Sequence, residues 1–293
     1  ELADKENLKL KLSNKFNYLP LKALEYFIGT GIKNTSGSLK GNFNIEGPLS
    51  YLDLTGKASI NKAGFHLNYT NVDYTIKGAN LSFTNKMIDA TGSALIDPAG
   101  NLAKITGGLV HDHFKHWGYD VKIQSPEFIG LNTTRQDNPI YFGKGIGAMT
   151  LTIGGSFEQT NMYINATTAK GSSLTIPFGN TEQAKASSFI KFANKFIDTT
   201  QTSVTKLKKK DLSGLNVDMD LTVTEDALMQ IILDPQAGDY IKGFGKGNIQ
   251  LAFTRTGEFT MFGDYEIQSG EYLFTLLNLV NKPFSISQGS IVR

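Results

Sequence analysis

Asp239 to Arg293 reads DYIKGFGKGNIQLAFTRTGEFTMFGDYEIQSGEYLFTLLNLVNKPFSISQGSIVR. Ile249, Leu251 and Phe253 take alternate positions, with Asn248, Gln250 and Thr254 on the other parity. The pattern recurs at Phe259 and Met261, at Tyr265 and Ile267, at Tyr272, Phe274 and Leu276, and at Phe284 and Ile286. Successive side chains of a strand point to opposite faces, so each run predicts a strand with one apolar face. Turns are expected at Thr256-Gly257, Gly263-Asp264, Ser269-Gly270 and Gln288-Gly289. The stretch therefore reads as a β meander, and no helix within it can cover its apolar face.

The same period extends upstream. Leu8, Leu10 and Leu12 alternate with lysines. Short alternating runs fill residues 37–123, broken by turn pairs such as Gly47-Pro48 and Asp97-Pro98. Strands at this spacing with turns between them mark an all-β chain. Leu215, Val217, Met219 and Leu221 alternate before the closing meander, as do Ile231 and Leu233. About twenty strands at ~4.8 Å each would give a single sheet roughly 90–100 Å long. Three segments share one design: Gly41 to Pro48, Gly147 to Ser156 and Gly247 to Gly257 each open on Gly, alternate, and turn. They recur about every hundred residues, which suggests one sheet extended by repetition.

Two segments break the β pattern. Residues 18–29 carry Leu21, Leu24 and Ile28 at helical spacing, with Pro20 before them and Gly29 after. A short helix is expected there. Residues 182–210 place Phe189, Phe192, Phe196 and Ile197 on one helical stripe and end in Lys206, Lys208, Lys209 and Lys210. This helical insertion suits three roles: packing on the sheet, plugging an apolar groove, or lying on a membrane. The expected organisation is a single continuous unit, 1–293, with 211–293 as its C-terminal portion. The chain starts and stops in strand-like sequence and reads as a piece of a longer protein.

Composition narrows the function. The chain has 293 residues, 40% hydrophobic and 19% charged, with a net charge of +2. Such a balance provides no basic field for nucleic acid. Cysteine is absent, so disulfides, thiolate metal sites and thiol nucleophiles are excluded. No apolar run is long enough to span a bilayer as a helix. No G-x-S-x-G elbow, Walker loop or H-E-x-x-H motif occurs. Gly243, Gly245 and Gly247 lack a surrounding βαβ unit and read as a turn or bulge rather than a phosphate cradle. The one metal candidate is His111 with His113, which share a strand face roughly 6.5–7 Å apart. No carboxylate is placed in sequence as a further ligand, and a polar face beside Trp117 explains them equally well. Asp218 and Asp220 face away from Val217 and Met219 and read as solvated. No cofactor and no catalytic residue is expected.

What remains is collective. Nearly every strand offers one apolar face, which either a closed sandwich or a trough folded lengthwise would use. An open trough of this size would demand a ligand, and an acyl chain suits a long apolar channel. At ~0.8 kcal/mol per buried CH₂, a chain of ~16 carbons gains on the order of 12 kcal/mol. The expected groove lining is Leu215, Val217, Met219, Leu221, Ile231, Leu233, Ile249, Leu251, Phe253, Phe259, Met261, Tyr272 and Phe274.

The ordered series ALMQIILDPQAGDYIKGFGKGNIQLAF, TGEFTMFGDYEIQSGEYLFTL and NKPFSISQGSIVR resembles the terminal domain of the TamB family, in a Bacteroidetes-type form. Upstream segments fit as well, among them LPLKALEYFI, GSLKGNFNIEGP, DPAGNLAKITGGLVHDHFKHWGYDVKI and NPIYFGKGIGAMTLTIGG. The resemblance covers essentially the whole chain. It implies a translocation and assembly module subunit, grouped with AsmA-like proteins, whose β-taco holds a hydrophobic groove. It further implies a periplasmic location, an inner-membrane anchor outside this chain, phospholipid as cargo, and a TamA-like barrel of the Omp85 family as partner. It brings no catalytic residues. The alternative it leaves open is assembly of outer-membrane β-barrel proteins.

Overall fold

The computed structural model describes residues 9–23, 25, 31–139, 141–177, 215–235, 237–256, 258–276 and 280–293. They form one 17-stranded sheet. In chain order the strands are β1 (Lys9–Pro20), β2 (Ile32–Pro48), β3 (Asp53–Leu67), β4 (Val72–Phe83), β5 (Met87–Asp89), β6 (Ala94–Ile96), β7 (Leu102–Asp112), β8 (Lys115–Thr133) and β9 (Phe142–Ser156). There follow β10 (Thr160–Thr168), β11 (Ser173–Pro177), β12 (Leu215–Val223), β13 (Leu228–Asp234), β14 (Asp239–Phe253), β15 (Phe259–Leu276), β16 (Val280–Ile286) and β17 (Ser290–Val292).

Neighbours in sequence are neighbours in the sheet. β1 to β4 pair antiparallel in turn. β5 and β6 then share one rung between β4 and β7. β8 and β9 follow, and β10 and β11 share the next rung. β12 and β13 lie on them in parallel, the only parallel step among the described residues. β14 and β15 continue antiparallel, and β16 and β17 share the last rung. Four rungs are thus each built from two short strands. The sheet is therefore thirteen rungs wide, about 60 Å at ~4.8 Å per rung, and not the 90–100 Å expected of about twenty separate strands.

The shared rungs break along one line. The gaps 90–93, 169–172, 224–227 and 287–289 face register shifts in the unbroken strands. Those shifts fall at Gly37/Leu39, Ser125/Phe128 and Phe244/Gly245. A bulge bends its strand, so aligned bulges and breaks crease the whole sheet lengthwise. The repeat glycines sit just beyond this crease. A Cβ on Gly41, Gly147 or Gly247 would lie 2.2, 1.9 or 2.1 Å from the carbonyl oxygens of Lys57, Thr167 and Asp264. Glycine is needed there because the next backbone comes too close for a side chain.

The crease divides the sheet into two limbs that face each other. The first limb includes residues 41–48, 105–123, 148–168, 215–223, 246–253 and 259–267. The second includes 62–77, 94–104, 128–133, 142–145, 173–177, 228–235, 237–244, 270–276 and 280–286. Each apolar cluster draws on both. Val72, Tyr74, Leu95, Ala103, Phe128 and Ile129 pack with Ile105, Val121 and Leu151. Met229, Leu174, Ile241 and Ile286 pack with Val223, Ile249, Leu251, Met219 and Met261. The architecture is an all-β sheet folded lengthwise, as expected.

Several local readings need correction. Within the expected 18–29 helix, residues 18–20 belong to β1 and Leu21–Ala23 form a 3₁₀ turn, while residue 25, described beyond it, is helical. Leu19 and Pro20 pair with Leu39 and Ser38, and an edge strand tolerates proline because no ladder bond is lost on its free side. Residues 24 and 26–30 lie outside the described residues. So does the expected helical insertion at 182–210, with Phe189, Phe192, Phe196 and Ile197. Gly263-Asp264 and Ser269-Gly270 are not turns. β15 passes through both, and at 268–269 it only bulges at the crease. That bulge explains why the inward parity changes between Ile267 and Tyr272.

Candidate functional site

The inner face of the first limb carries apolar rows that run across the strands in register. One row passes from Ile105 to Ile123, Leu151, Ile164, Met219, Leu251 and Met261. A second passes from Val121 to Ile153, Met162, Val217, Phe253 and Phe259. A third links Met149, Ala166, Leu221 and Ile249. The first row crosses seven strands, about 29 Å at ~4.8 Å per step. Alternate positions such as Tyr163, Asp218, Asp220, Asn248 and Gln250 are exposed on the outer face.

Burial is graded along these rows. Ile249, Leu251 and Phe253 are buried under the opposite limb. Leu215, Val217, Met219, Leu221, Ile231, Phe259, Met261 and Tyr272 are half-buried, while Leu233 and Phe274 are exposed. Tyr272 and Phe274 project from the second limb near the last rung, with Phe284 stacked 6.1 Å from Tyr272. At one point the two free rims meet. Tyr141, before β9, lies 5.3 Å from Phe253, whose ring is 4.7 Å from Phe259.

At the other end the second limb is tied by polar groups. Tyr74 stacks on Phe128 at 5.2 Å and donates its hydroxyl to the Ile129 carbonyl at 3.0 Å. Burial pushes the Tyr74 phenol up to about 12, so it remains a donor. Asp97 is buried and accepts from the amides of Ala99, Asn101 and Ile129 and from the Asn101 side chain. Burial alone would raise the Asp97 carboxyl, but these bonds outweigh it and hold the group below its ordinary value. Asn132 donates to the Thr70 carbonyl and accepts from Asn71 Nδ2.

His111 and His113 are both buried, not displayed on an edge. His113 Nδ1 lies 3.0 Å from Asp53 Oδ1, a carboxylate that sequence could not place beside it. Burial lowers the His111 pKa, and its Nδ1 accepts from the Phe114 amide. Among the described residues no group of three or more His, Asp or Glu side chains could hold a metal ion. Sequence reasoning also missed the band of rings beside these histidines, because its members come from separate turns.

The profile of the TamB C-terminal domain matches residues 92–292, more than two thirds of the chain. Neither a curated protein nor a solved structure matches significantly. Among the described residues no helix is long and apolar enough to cross a membrane. The matched range contains the complete parallel step, the crease from β6 onward and the longest apolar rows. The chain is a member of the TamB C-terminal domain family, whose role is transport and assembly in the cell envelope.

Proposed function

We propose that the folded sheet is a non-enzymatic periplasmic conduit in which phospholipid acyl chains travel between the limbs. The observation that carries this reading is the unbroken apolar row from Ile105 to Met261, kept in register over seven strands. A row without a polar anchor holds a chain by area alone and leaves it free to slide, at ~0.8 kcal/mol per CH₂. The thirteen predicted lining residues are the proposed contacts: those near the rims meet cargo first, and Ile249, Leu251 and Phe253 meet it when the limbs part. The whole of 1–293 acts as one continuous unit, joined to the inner membrane by an anchor outside this chain and to a TamA-like Omp85 barrel at the outer membrane. No cofactor takes part.

Photo-crosslinking tests this. A crosslinker at Val217 should capture phospholipid from envelope membranes, and one at Asp218, on the opposite face, should not. Equal capture at both positions would sink the conduit.

A second reading, assembly of outer-membrane barrel proteins, is favoured by β1. This edge strand pairs only with β2 among the described residues and exposes Leu10, Leu12 and Leu19. Such an edge can accept a further strand. Capture of unfolded barrel strands along β1, with no lipid at Val217, would select it.

A further inference from the structure

The turn between β7 and β8 is conformationally expensive. Asp112 pairs with Lys115, so His113 and Phe114 are the two central residues of a tight hairpin. Both are left-handed, with φ of 49° and 65°, and His116 follows at 50°. Hairpins of this kind favour Asn and Gly, since a Cβ resists positive φ. A bulky aromatic in this region is an outlier that needs a reason.

The reason lies in what the turn assembles. His113 stacks 3.5 Å from Tyr51, and Lys115 Nζ donates to the Ser50 carbonyl at 3.1 Å. His111 lies 5.5 Å from Phe114 and 4.6 Å from Trp117. Trp117 is 6.2 Å from Phe157, which is 4.8 Å from Tyr119. Turns from β2–β3, β7–β8 and β9–β10 thereby form one aromatic band along the rim of the first limb. Its outer members stay wet: Leu49 is 51% exposed, Tyr51 54% and Phe157 45%. Lys86, Lys115 and His116 are exposed beside them, together with the carboxylates of Asp112 and Glu158.

We propose that this band docks on the interface of a phospholipid bilayer and admits lipid to the groove. The inference rests on the conduit reading. Two features favour a bilayer over a macromolecule of one charge sign. First, amphipathic rings with mixed charges around them match the headgroup zone, where one end of a ring is apolar and the other wet. Second, the band is continuous with the groove wall. Trp117, Tyr119, Val121 and Ile123 take alternate positions along β8, so one strand leads from the rim to the buried row.

Trp117 is the only tryptophan in the chain and is therefore a built-in probe. The intact chain would be titrated with phosphatidylcholine vesicles, with and without bromine on the acyl chains. Docking predicts a blue shift and quenching of Trp117 by the brominated lipid. Replacing Tyr51 and Phe157 by Ser should weaken vesicle partitioning roughly tenfold while leaving the melting transition in place. Phe262→Ser, on the outer face, should leave partitioning unchanged. Absence of quenching, or equal partitioning of the double variant, overturns the inference, as does saturable quenching by a soluble oligosaccharide without vesicle binding. Lipid capture at Val217 separates the two claims. Capture with no Trp117 quenching removes the docking site alone, and loss of both removes the conduit as well.

Discussion

The two apolar clusters are closed by different chemistry. In the cluster built from β3 to β9, polar groups bridge rungs that are not neighbours. Tyr74 and Asp97 reach Ile129, and Asn71 reaches Asn132. In the cluster built from β10 to β17, the buried side chains of the described residues hydrogen-bond to adjacent rungs, as when Tyr265 donates to the Gly243 carbonyl, and the longer reach of half-buried Arg255 to Asn161 lies at the rim, outside the cluster. There the limbs are held across the fold by Leu251, Met229, Ile241 and their neighbours, and at the rim by Tyr141 on Phe253. Polar ties depend on geometry and fail when a distance grows. Apolar contacts are non-directional and can be exchanged for other apolar contacts. The contrast suggests one end whose second limb is fixed by polar ties and one end whose limbs can part around an acyl chain.

The largest expected effect is at the fixed end. Asp97→Ala would leave three amides and an Asn side chain without their acceptor in a buried site, at a cost of about 4 kcal/mol. Urea unfolding should show it. The pH dependence follows from the depressed carboxyl. The Asp97 contribution is fully present above the unfolded pKa of about 3.9 and is lost as pH falls through the lower folded value. The wild-type protein should therefore lose stability in acid more steeply than the Asp97→Ala variant, whose profile should be flatter there.

At the other end Phe253→Ala should cost about 3 kcal/mol, since the ring is buried against Tyr141 and Phe259. Tyr141→Ala removes only the rim partner and should cost about 1–2 kcal/mol. Its more informative effect is on opening. Amide exchange should quicken in β12, β13 and β14 and stay unchanged in β4 and β8, and lipid capture at Val217 should rise. Uniform acceleration across both clusters would show that the two ends open together and would erase the comparison.

Alternation made one limb's inner face legible in the sequence. The inward parity of Leu215 to Leu221 and of Ile249 to Phe253 follows from period two alone, and the exposed Asp218, Asp220 and Gln250 agree with it. The crease was not legible. A bulge adds one residue without changing composition, so the passage through 268–269 in β15 looks like a turn between two strands. Glycines at 41, 147 and 247 signalled a repeat, but their purpose depends on a neighbouring carbonyl that no local pattern reveals. What covers Leu251 was hidden for the same reason. The opposing Met229 and Ile241 alternate as ordinary strands, and only the fold brings them across. His113 likewise reads as an exposed ligand until Asp53, Tyr51 and Leu52 arrive from another turn.

The smallest predicted effect concerns the parallel step, which lies wholly in the end that parts. Antiparallel neighbours are tied by their own hairpins, but β12 begins at Leu215 beside the start of β10 with no such link. Side chains supply it. Asn216 Nδ2 donates to Asn161 Oδ1 at 3.1 Å, and Arg255 donates to the same oxygen at 3.2 Å. The Arg255 amide closes the set by donating to Asn216 Oδ1 at 3.1 Å. The opposite end is tied by Thr224, whose amide donates to Thr168 Oγ1 and whose hydroxyl donates to the Thr168 carbonyl. Arg255→Ala removes one arm of the rim tie and should cost about 1 kcal/mol. The loss should be local, with faster amide exchange at 215–218 and no change at 221–223, where the Thr224 tie persists. Exchange that quickens along all of β12 would mean that the step is held by its ladder alone. The rim tie would then be incidental, and the parting end would be looser than the Tyr141 contact implies.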